Sequence, residues 1–348
     1  MKIGKKKIGQ NYPAFLIAEA GVNHNGSLRI AKKLIDVAVK CGADAVKFQT
    51  FKAENIIIPN GPKAKYHIET TGSDKSQSWY QLLKSQEISK KMHIELIKYC
   101  KIKKIIFLST PYDNESADLL DKLGIEAYKI ASTDNDNYPF LEYLAKKKKP
   151  MIISTAMSDL RDVLHAEKIL INNNCKKYAF LQCTGNYPSI IEDANIKVIK
   201  TLQKNLNCPI GYSDHTMTNV SGITAIAMGA KIIEKHFTID KNLYGPDHRM
   251  SASPDELNDY FLNIREAEKS LGINKKYVLK SEKQNKKKLK KSIVVNADLK
   301  KNDKLTLENI SFKRPGTGMR PIEINKIVNK KVVRNIKKNT LLKISLIK

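Results

Sequence analysis

The chain has 348 residues, 62 Lys and Arg against 35 Asp and Glu, and a formal net charge of +27, a length that predicts one large α/β core plus a smaller module because single cores stop growing near ~250–300 residues. No apolar run approaches the ~20 residues of a membrane span, the opening Met1-Lys2-Ile3-Gly4-Lys5 lacks a signal-peptide core, and five scattered cysteines without a C-x-x-C pair exclude a disulfide framework and a zinc ribbon, so a cytoplasmic protein without membrane partners is expected. The basic excess is nearly all lysine, without arginine–aromatic interleaving, which argues against a nucleic-acid groove while leaving a field that draws in small anions.

From residue 14 to about residue 272, β-branched apolar runs alternate with helical periodicity, the pattern of βα units around a parallel sheet. Strands are predicted at 14–20, 43–50, 105–110, 127–132, 151–155, 178–184, 210–215 and 231–238. Eight is the number that closes a barrel, so the expected fold is α/β, a (β/α)8 TIM barrel. The first helix opens after Ser27 as N-cap, with Ile30, Leu34, Val37 and Ala38 as its apolar stripe. Further helices are predicted at 116–123, 160–171, 196–206 and 255–271, the last started by Ser253-Pro254. Residues 52–87 are too many for an ordinary βα connection, and such an insertion on the strand-end face covers or lines a site. The lysine-rich run 280–291 reads as linker, followed by a small module whose own core is marginal. The domains expected are therefore a barrel over 1–272, a charged linker over 273–291 and a small domain over 292–348.

In such a barrel the chemistry sits at the C-terminal strand ends. Those ends read Glu19, Lys47 with Gln49, Ser109 with Thr110, Lys129 with Ser132, Ser154 with Thr155, Gln182 with Thr184, Asp214 with His215, and Glu234 with His236. Polar strand ends are ordinary because loops begin there, but lysines inside apolar strands are not. Lys47 and Lys129 interrupt such runs, and a buried lysine costs several kcal/mol unless an anion compensates it. With the hydroxyls of Thr110, Ser132, Ser154 and Ser213, the two ammonium groups suit a phosphate and a carboxylate held close together. His215 and His236 each end an apolar run, and neighbouring parallel strands would bring the two imidazoles together. With Glu19, Glu234 and Asp247 to hand, they form a candidate site for Mn²⁺, Mg²⁺ or a similar ion acting as a Lewis acid. Cys183 reads as a small buried strand residue. The chain has no phosphate-binding Gly-x-x-x-x-Gly-Lys loop, no Gly-x-Ser-x-Gly elbow and no dinucleotide fingerprint, which counts against ATP use, acyl transfer and a Rossmann cofactor.

The segments Ile17-Ala18-Glu19-Ala20-Gly21-Val22-Asn23-His24-Asn25-Gly26-Ser27, Val46-Lys47-Phe48-Gln49-Thr50, Leu108-Ser109-Thr110-Pro111, Gly211-Tyr212-Ser213-Asp214-His215-Thr216, Glu234-Lys235-His236-Phe237-Thr238, Gly245-Pro246-Asp247-His248 and Lys313-Arg314-Pro315-Gly316 resemble the bacterial sialic acid synthases, the N-acetylneuraminate synthase family. The likeness runs over nearly the whole chain and makes the C-terminal module similar to that family's SAF or antifreeze-like domain. It implies condensation of phosphoenolpyruvate with N-acetylmannosamine and water to N-acetylneuraminate and phosphate. It further implies a divalent metal (Mn²⁺ first, Mg²⁺ or Co²⁺ otherwise) on His215 and His236. Phosphoenolpyruvate would be held by Lys47, Thr110, Lys129, Ser132, Ser154 and Ser213, and the sugar by Glu19, Gln49, Tyr187 and Asp247. A domain-swapped homodimer would bring Arg314 of one subunit to the other's sugar. Either Glu19 or Glu234 is expected to manage the water and hydroxyl protons, so that Glu19, Lys47, Lys129 and Glu234 form the catalytic set.

Three departures from the commoner family pattern bear on the sugar pocket. Ser132-Thr133-Asp134 stands where Ser-Gly-Glu is frequent, with Asp134 counted among the substrate-binding residues, Gln182 stands where histidine is frequent, and Gly185 where a polar residue often faces the sugar. Related synthases use 2,4-diacetamido-2,4,6-trideoxy sugars to make legionaminate or pseudaminate, which is the alternative reading. Two more distant alternatives are a barrel that makes seven- or eight-carbon keto-deoxy acids, disfavoured by the Arg314 segment, and a non-catalytic polyanion binder using the 280–291 run.

Overall fold

The computed structural model describes residues 1–72 and 77–348, so residues 73–76 of the 52–87 insertion lie outside the described residues. The chain divides into two compact units, Met1–Gly272 and Ile273–Lys348.

The first unit is a closed barrel of eight parallel strands, β1 (Phe15–Gly21), β2 (Ala45–Thr50), β3 (Ile106–Pro111), β4 (Tyr128–Ile130), β5 (Met151–Ser154), β6 (Tyr178–Cys183), β7 (Ile210–Asp214) and β8 (Ile232–His236), with β8 returning to pair with β1. These runs form strands because both of their faces are buried, one against helices and one inside the barrel. Each begins or ends within a few residues of its predicted place. The largest trims are at 231–238, where the strand runs Ile232–His236, and at 127–132, where it stops at Ile130 and Ser132–Asp134 turns into a 3-10 helix.

The barrel is filled from below. A short N-terminal hairpin, Lys2–Ile3 against Lys6–Lys7, inserts Ile3 and Ile8 into a floor cluster with Phe15, Ile17, Ala45, Leu108, Ala127, Ile152, Ala179, Leu181 and Ile232. Those positions alternate along their strands with Leu16, Ala18, Val46, Phe48, Tyr128, Ile153, Phe180 and Ile233, which belong to the larger cluster under the helices.

Helix Leu28–Lys40 starts at Ser27, whose hydroxyl accepts from Ile30 N, and buries Ala31, Leu34, Ile35 and Ala38, so Ile30 and Val37 sit at the rim of the expected stripe rather than its centre. Helix Pro254–Leu271 is held by a capping box between Ser253 and Glu256. Helices Lys90–Lys103, Tyr138–Lys146 and Val220–Ala227 were not predicted. Among the described residues of the insertion lie helices Ala53–Ile56, Lys65–Thr71 and Trp79–Gln86.

The second unit pairs β9 (Ser292–Val295) with β10 (Ile310–Lys313) in antiparallel register around its own buried cluster, including Ile293, Val295, Leu305, Ile327, Val332 and Leu342. The lysine-rich run before it is not a featureless linker, because Lys283–Leu289 is helical, though it buries no residue. Among the described residues no helix is long and apolar enough to cross a membrane.

Candidate active site

Two residues beyond the floor cluster, strand alternation brings the next inward side chains to one level: Glu19, Lys47, Thr110, Lys129, Ser154, Cys183, Ser213 and Glu234. The lysines predicted to need an anion have carboxylates for company. Lys47 Nζ lies 2.9 Å from Glu19 Oε2 and 3.7 Å from Glu234 Oε1, and Lys129 Nζ lies 3.6 Å from the same Glu234 oxygen. Hydroxyls complete the layer. Lys47 Nζ donates to Thr110 Oγ1 at 3.2 Å, Lys129 Nζ to Ser154 Oγ at 2.7 Å, and Ser213 Oγ to Glu234 Oε1 at 3.0 Å. All four charged groups are at most 3% exposed, so their mutual attraction is little screened by solvent.

The two carboxylates differ in proton affinity. Burial, with the Glu234 charge adding to it and Lys47 opposing, pushes Glu19 up to about 7. Burial also disfavours the charge of Glu234, but Lys129, Lys47 and the Ser213 hydroxyl outweigh it and hold Glu234 below the usual carboxylate range. Lys129 is driven down by burial, whereas at Lys47 the Glu19 and Glu234 carboxylates overcome burial and raise it. Asp247, in turn, is pushed up to about 6 by burial.

Above this layer His215 and His236 meet with ring centroids 5.5 Å apart. His215 Nδ1 is 2.6 Å from the Thr184 carbonyl oxygen, which only accepts, so the proton sits on Nδ1 and the Nε2 lone pair is free to bind a ligand. Burial holds His215 near 4 and His236 well below its ordinary value, so both rings are neutral at pH 7. His236 Nδ1 is buried with no hydrogen-bond partner, and Asp247 Oδ2 is 3.9 Å away. Of the carboxylates expected nearby, Glu19 and Glu234 are engaged by lysines and Asp247 stands nearest the imidazoles. Among the described residues no three His, Cys, Asp or Glu side chains gather closely enough to hold a metal unaided.

A polar corner gathers around Gly21 (φ 50°), where a Cβ would come 3.2 Å from Asp247 Oδ2, 3.3 Å from Glu19 Oε1 and 3.5 Å from Gln49 Nε2. A side chain there would crowd the Asp247 and Glu19 carboxylates, so the glycine keeps this corner open. Tyr187 packs on His215 with centroids 4.1 Å apart and on His236 at 5.7 Å. Ser132 Oγ accepts from Ala156 N at 3.0 Å, and Asp134, its carboxyl raised by burial, accepts from Asn137 Nδ2 at 2.9 Å. Arg314, in the second unit, is exposed and donates from Nε to Leu289 O at 3.1 Å.

Several residues stand where the sequence did not place them. Cys183 is the small buried strand residue expected, and it also stands beside the histidine pair: its Sγ is 3.8 Å from both ring nitrogens of His215, and burial pushes its thiol up to about 11. Its phase with Ala179 and Leu181 on β6 was a readable signal. Gln182 has the opposite phase and donates to Ala194 O at 3.3 Å, away from this layer. Asp214 also turns away, accepting from Thr216 N, Ser221 Oγ and Tyr260 Oη and so fastening the loop after β7 to two helices. Tyr66, from the insertion, packs on Tyr187 at 5.3 Å and faces the Asp247 charge, while Tyr112, just past β3, faces Glu19, Asp134 and Asp247. No sequence signal marked either tyrosine.

A family model described as the NeuB family matches residues 34–276, and one described as the SAF domain matches residues 290–348. The N,N'-diacetyllegionaminic acid synthase of Campylobacter jejuni is 41% identical, covering 94% of this chain and 98% of its own. That of Legionella pneumophila is 40% identical, covering 97% and 96%. The crystal structure of the N-acetylneuraminic acid synthetase of Leptospira borgpetersenii in complex with citrate superposes with a TM-score of 0.72 at 34% identity, over 82% of this chain and 94% of that one. Two modules matched in order, and relatives aligned over almost their entire length, place this chain in the NeuB family, as a phosphoenolpyruvate-condensing nonulosonate synthase of the transferase class.

Proposed function

We propose that the enzyme condenses phosphoenolpyruvate and water with a 2,4-diacetamido-2,4,6-trideoxyhexose, giving an N,N'-diacetyllegionaminate-type 2-keto-3-deoxy acid and inorganic phosphate. The observation that carries this choice is the 41% and 40% identity to two N,N'-diacetyllegionaminic acid synthases, against 34% to the N-acetylneuraminic acid synthetase. The strand-end loops agree with it. Tyr66 and Tyr187 pack beside the histidine pair, an aromatic wall suited to methyl groups rather than to extra hydroxyls. We prefer this acceptor to N-acetylmannosamine, the first expectation from the motifs.

Lys47 and Lys129 receive the carboxylate and phosphate of phosphoenolpyruvate, with Thr110, Ser132, Ser154 and Ser213 giving direction. Glu234, kept ionised between the two ammonium groups, holds them charged and in place before substrate arrives. The C3 carbon of phosphoenolpyruvate bonds to the aldehyde carbon and water adds at C2; one proton of that water passes by way of the Glu19 carboxylate to the former aldehyde oxygen. The C2–O bond to phosphate then breaks, the second water proton leaves the C2 hydroxyl with the departing phosphate, and C2 becomes the keto carbon. Glu19 suits proton transfer because its pKa lies near 7 while that of Glu234 is held low. A divalent ion held by His215 Nε2 and His236, with Asp247 beside them, would supply Lewis-acid polarisation of the aldehyde oxygen. Tyr187, packed on both rings, fixes their orientation.

Mass spectrometry of the products from a panel of N-acetylated amino sugars tests the acceptor. A legionaminate-type product with the fastest turnover is expected, and preference for N-acetylmannosamine would return the choice to N-acetylneuraminate. We also propose, on the family resemblance, a homodimer in which Arg314 serves the partner's acceptor site. Activity regained on mixing His236→Ala with Arg314→Ala chains is the expected result. Five free cysteines support placing the enzyme in the reducing cytoplasm.

A further inference from the structure

A cavity of the first unit lies at the opposite end of the barrel from this chemistry. It has a volume of about 900 Å³ and opens between the second half of the N-terminal hairpin with the residues that follow it, the start of β8, and the end of helix Pro254–Leu271. That volume is within the ~300–1,000 Å³ usual for small-molecule sites.

Its charge is lopsided. Six cationic side chains line it, Lys5, Lys6, Lys7, Lys231, Arg265 and Lys269, against two carboxylates, Asp44 and Glu268. Both carboxylates are already engaged. Asp44 accepts from Leu16 N at 2.9 Å and Arg265 Nη2 at 3.2 Å and pairs with Lys6 Nζ at 2.6 Å. Glu268 accepts from Ala14 N at 2.5 Å and Arg265 Nη1 at 2.8 Å. These bonds stitch the floor of the barrel to its last helix and leave no acid for the remaining cations. Among the described residues Lys5, Lys231 and Lys269 have no ion-pair partner, and Lys7 has only the ring of Tyr12, at 5.5 Å.

Ammonium groups brought to one cavity from three separate segments, without carboxylates to pair them, repel one another. An anion in the cavity would relieve that repulsion. Tyr12 and Leu271, both exposed at the rim, offer apolar surface beside the charges.

We propose that this cavity binds a nucleotide-sized phosphate ester, its phosphates met by Lys5, Lys231 and Lys269 and its ring by Tyr12. The proposal stands independently of the acceptor sugar and of the mechanism at the other end of the barrel.

Equilibrium dialysis of ATP against the full-length enzyme tests it, with saturating phosphoenolpyruvate to occupy the barrel mouth and EDTA to remove metal. Tripolyphosphate serves as a parallel ligand without a ring. One ATP per chain is expected, bound more tightly than tripolyphosphate, and weakened roughly tenfold or more in Lys5→Gln/Lys231→Gln/Lys269→Gln. Tyr12→Ala should erase the preference for ATP over tripolyphosphate. The control Lys283→Gln/Lys286→Gln/Lys287→Gln, which removes the same charge from the exposed helix of the second unit, should bind as the parent does. Equal weakening in both triple variants would reduce the cavity to one part of a diffuse basic surface and overturn the proposal, as would the absence of saturable binding. Because each triple variant keeps the catalytic layer intact, condensation activity reports that it is folded.

Discussion

Lys47 Nζ stands 2.9 Å from Glu19 Oε2 in the interior of the barrel, on strands whose register sets the two residues directly side by side. Of the two carboxylates that Lys47 touches, Glu19 is the one whose pKa burial lifts to about 7, because Glu234 shares a second lysine. kcat/KM should therefore rise as pH increases through about 7, following the deprotonation of Glu19, and level off above it. Glu19→Gln should abolish that limb and lower kcat by roughly 10²–10⁴. Glu234→Gln should lower activity while leaving a pH-dependent limb. Initial rates of phosphate release across pH check both, and a limb that survives in Glu19→Gln would assign the proton transfer elsewhere.

Lys129 makes a different prediction, since it is half of a buried pair and not only a substrate contact. Lys129→Met removes the 3.6 Å partner of Glu234 and leaves Glu19 and Glu234 to share Lys47, an uncompensated buried charge whose cost should approach the ~3–5 kcal/mol of breaking a buried pair. Adding Glu234→Gln should recover most of that stability because the remaining Glu19–Lys47 pair is again balanced. Urea denaturation measures this recovery. Phosphoenolpyruvate affinity, read by calorimetry, should stay low in both variants, which separates anion binding from fold maintenance.

Most of the barrel, and the positions of the lysines buried in its mouth, were legible because the signal is local. A strand buried on both faces is a short apolar run, and a lysine within one, such as Lys47 or Lys129, stands out against it. Helix Val220–Ala227 was not legible, since Val-Ser-Gly-Ile-Thr-Ala-Ile-Ala has little polar face to create a 3.6-residue period, and Gly222 is there to let Tyr260 pack against the backbone. Helix Lys90–Lys103 is masked the opposite way, by lysines scattered around a weak apolar stripe. Tyr66 and Tyr112 lie outside the strands, where tertiary placement alone makes them neighbours of Asp247. The Glu19–Lys47–Glu234–Lys129 alternation likewise required the closure of β8 onto β1, which no single stretch of sequence encodes.

Tyr66 links the insertion to the histidine pair through Tyr187, with successive ring centroids 5.3 and 4.1 Å apart. Tyr66→Ala should raise the KM for the acceptor sugar about tenfold or more, in line with the ~1–3 kcal/mol that one group in a pocket contributes, and leave the KM for phosphoenolpyruvate within about twofold. Tyr66→Phe should keep most of the acceptor affinity if the ring rather than the hydroxyl makes the wall. Equal increases in both KM values would instead mean that the insertion supports the whole barrel mouth.

The metal prediction rests on the Nδ1–H of His215 being committed to the Thr184 carbonyl, which leaves the Nε2 lone pair available with the His236 ring 5.5 Å away between centroids. Phosphate release from phosphoenolpyruvate in the presence of acceptor should stop with EDTA and return with Mn²⁺. His236→Ala should weaken Mn²⁺ binding by roughly 10-fold or more, read as free Mn²⁺ by electron paramagnetic resonance, a measurement that does not depend on turnover. Cys183→Ser removes a thiol 3.8 Å from the His215 nitrogens but leaves the Thr184 bond untouched, so Mn²⁺ affinity should change far less than in His236→Ala. Turnover indifferent to EDTA, with no Mn²⁺ bound, would mean that the two imidazoles act on the sugar directly as neutral hydrogen-bonding groups.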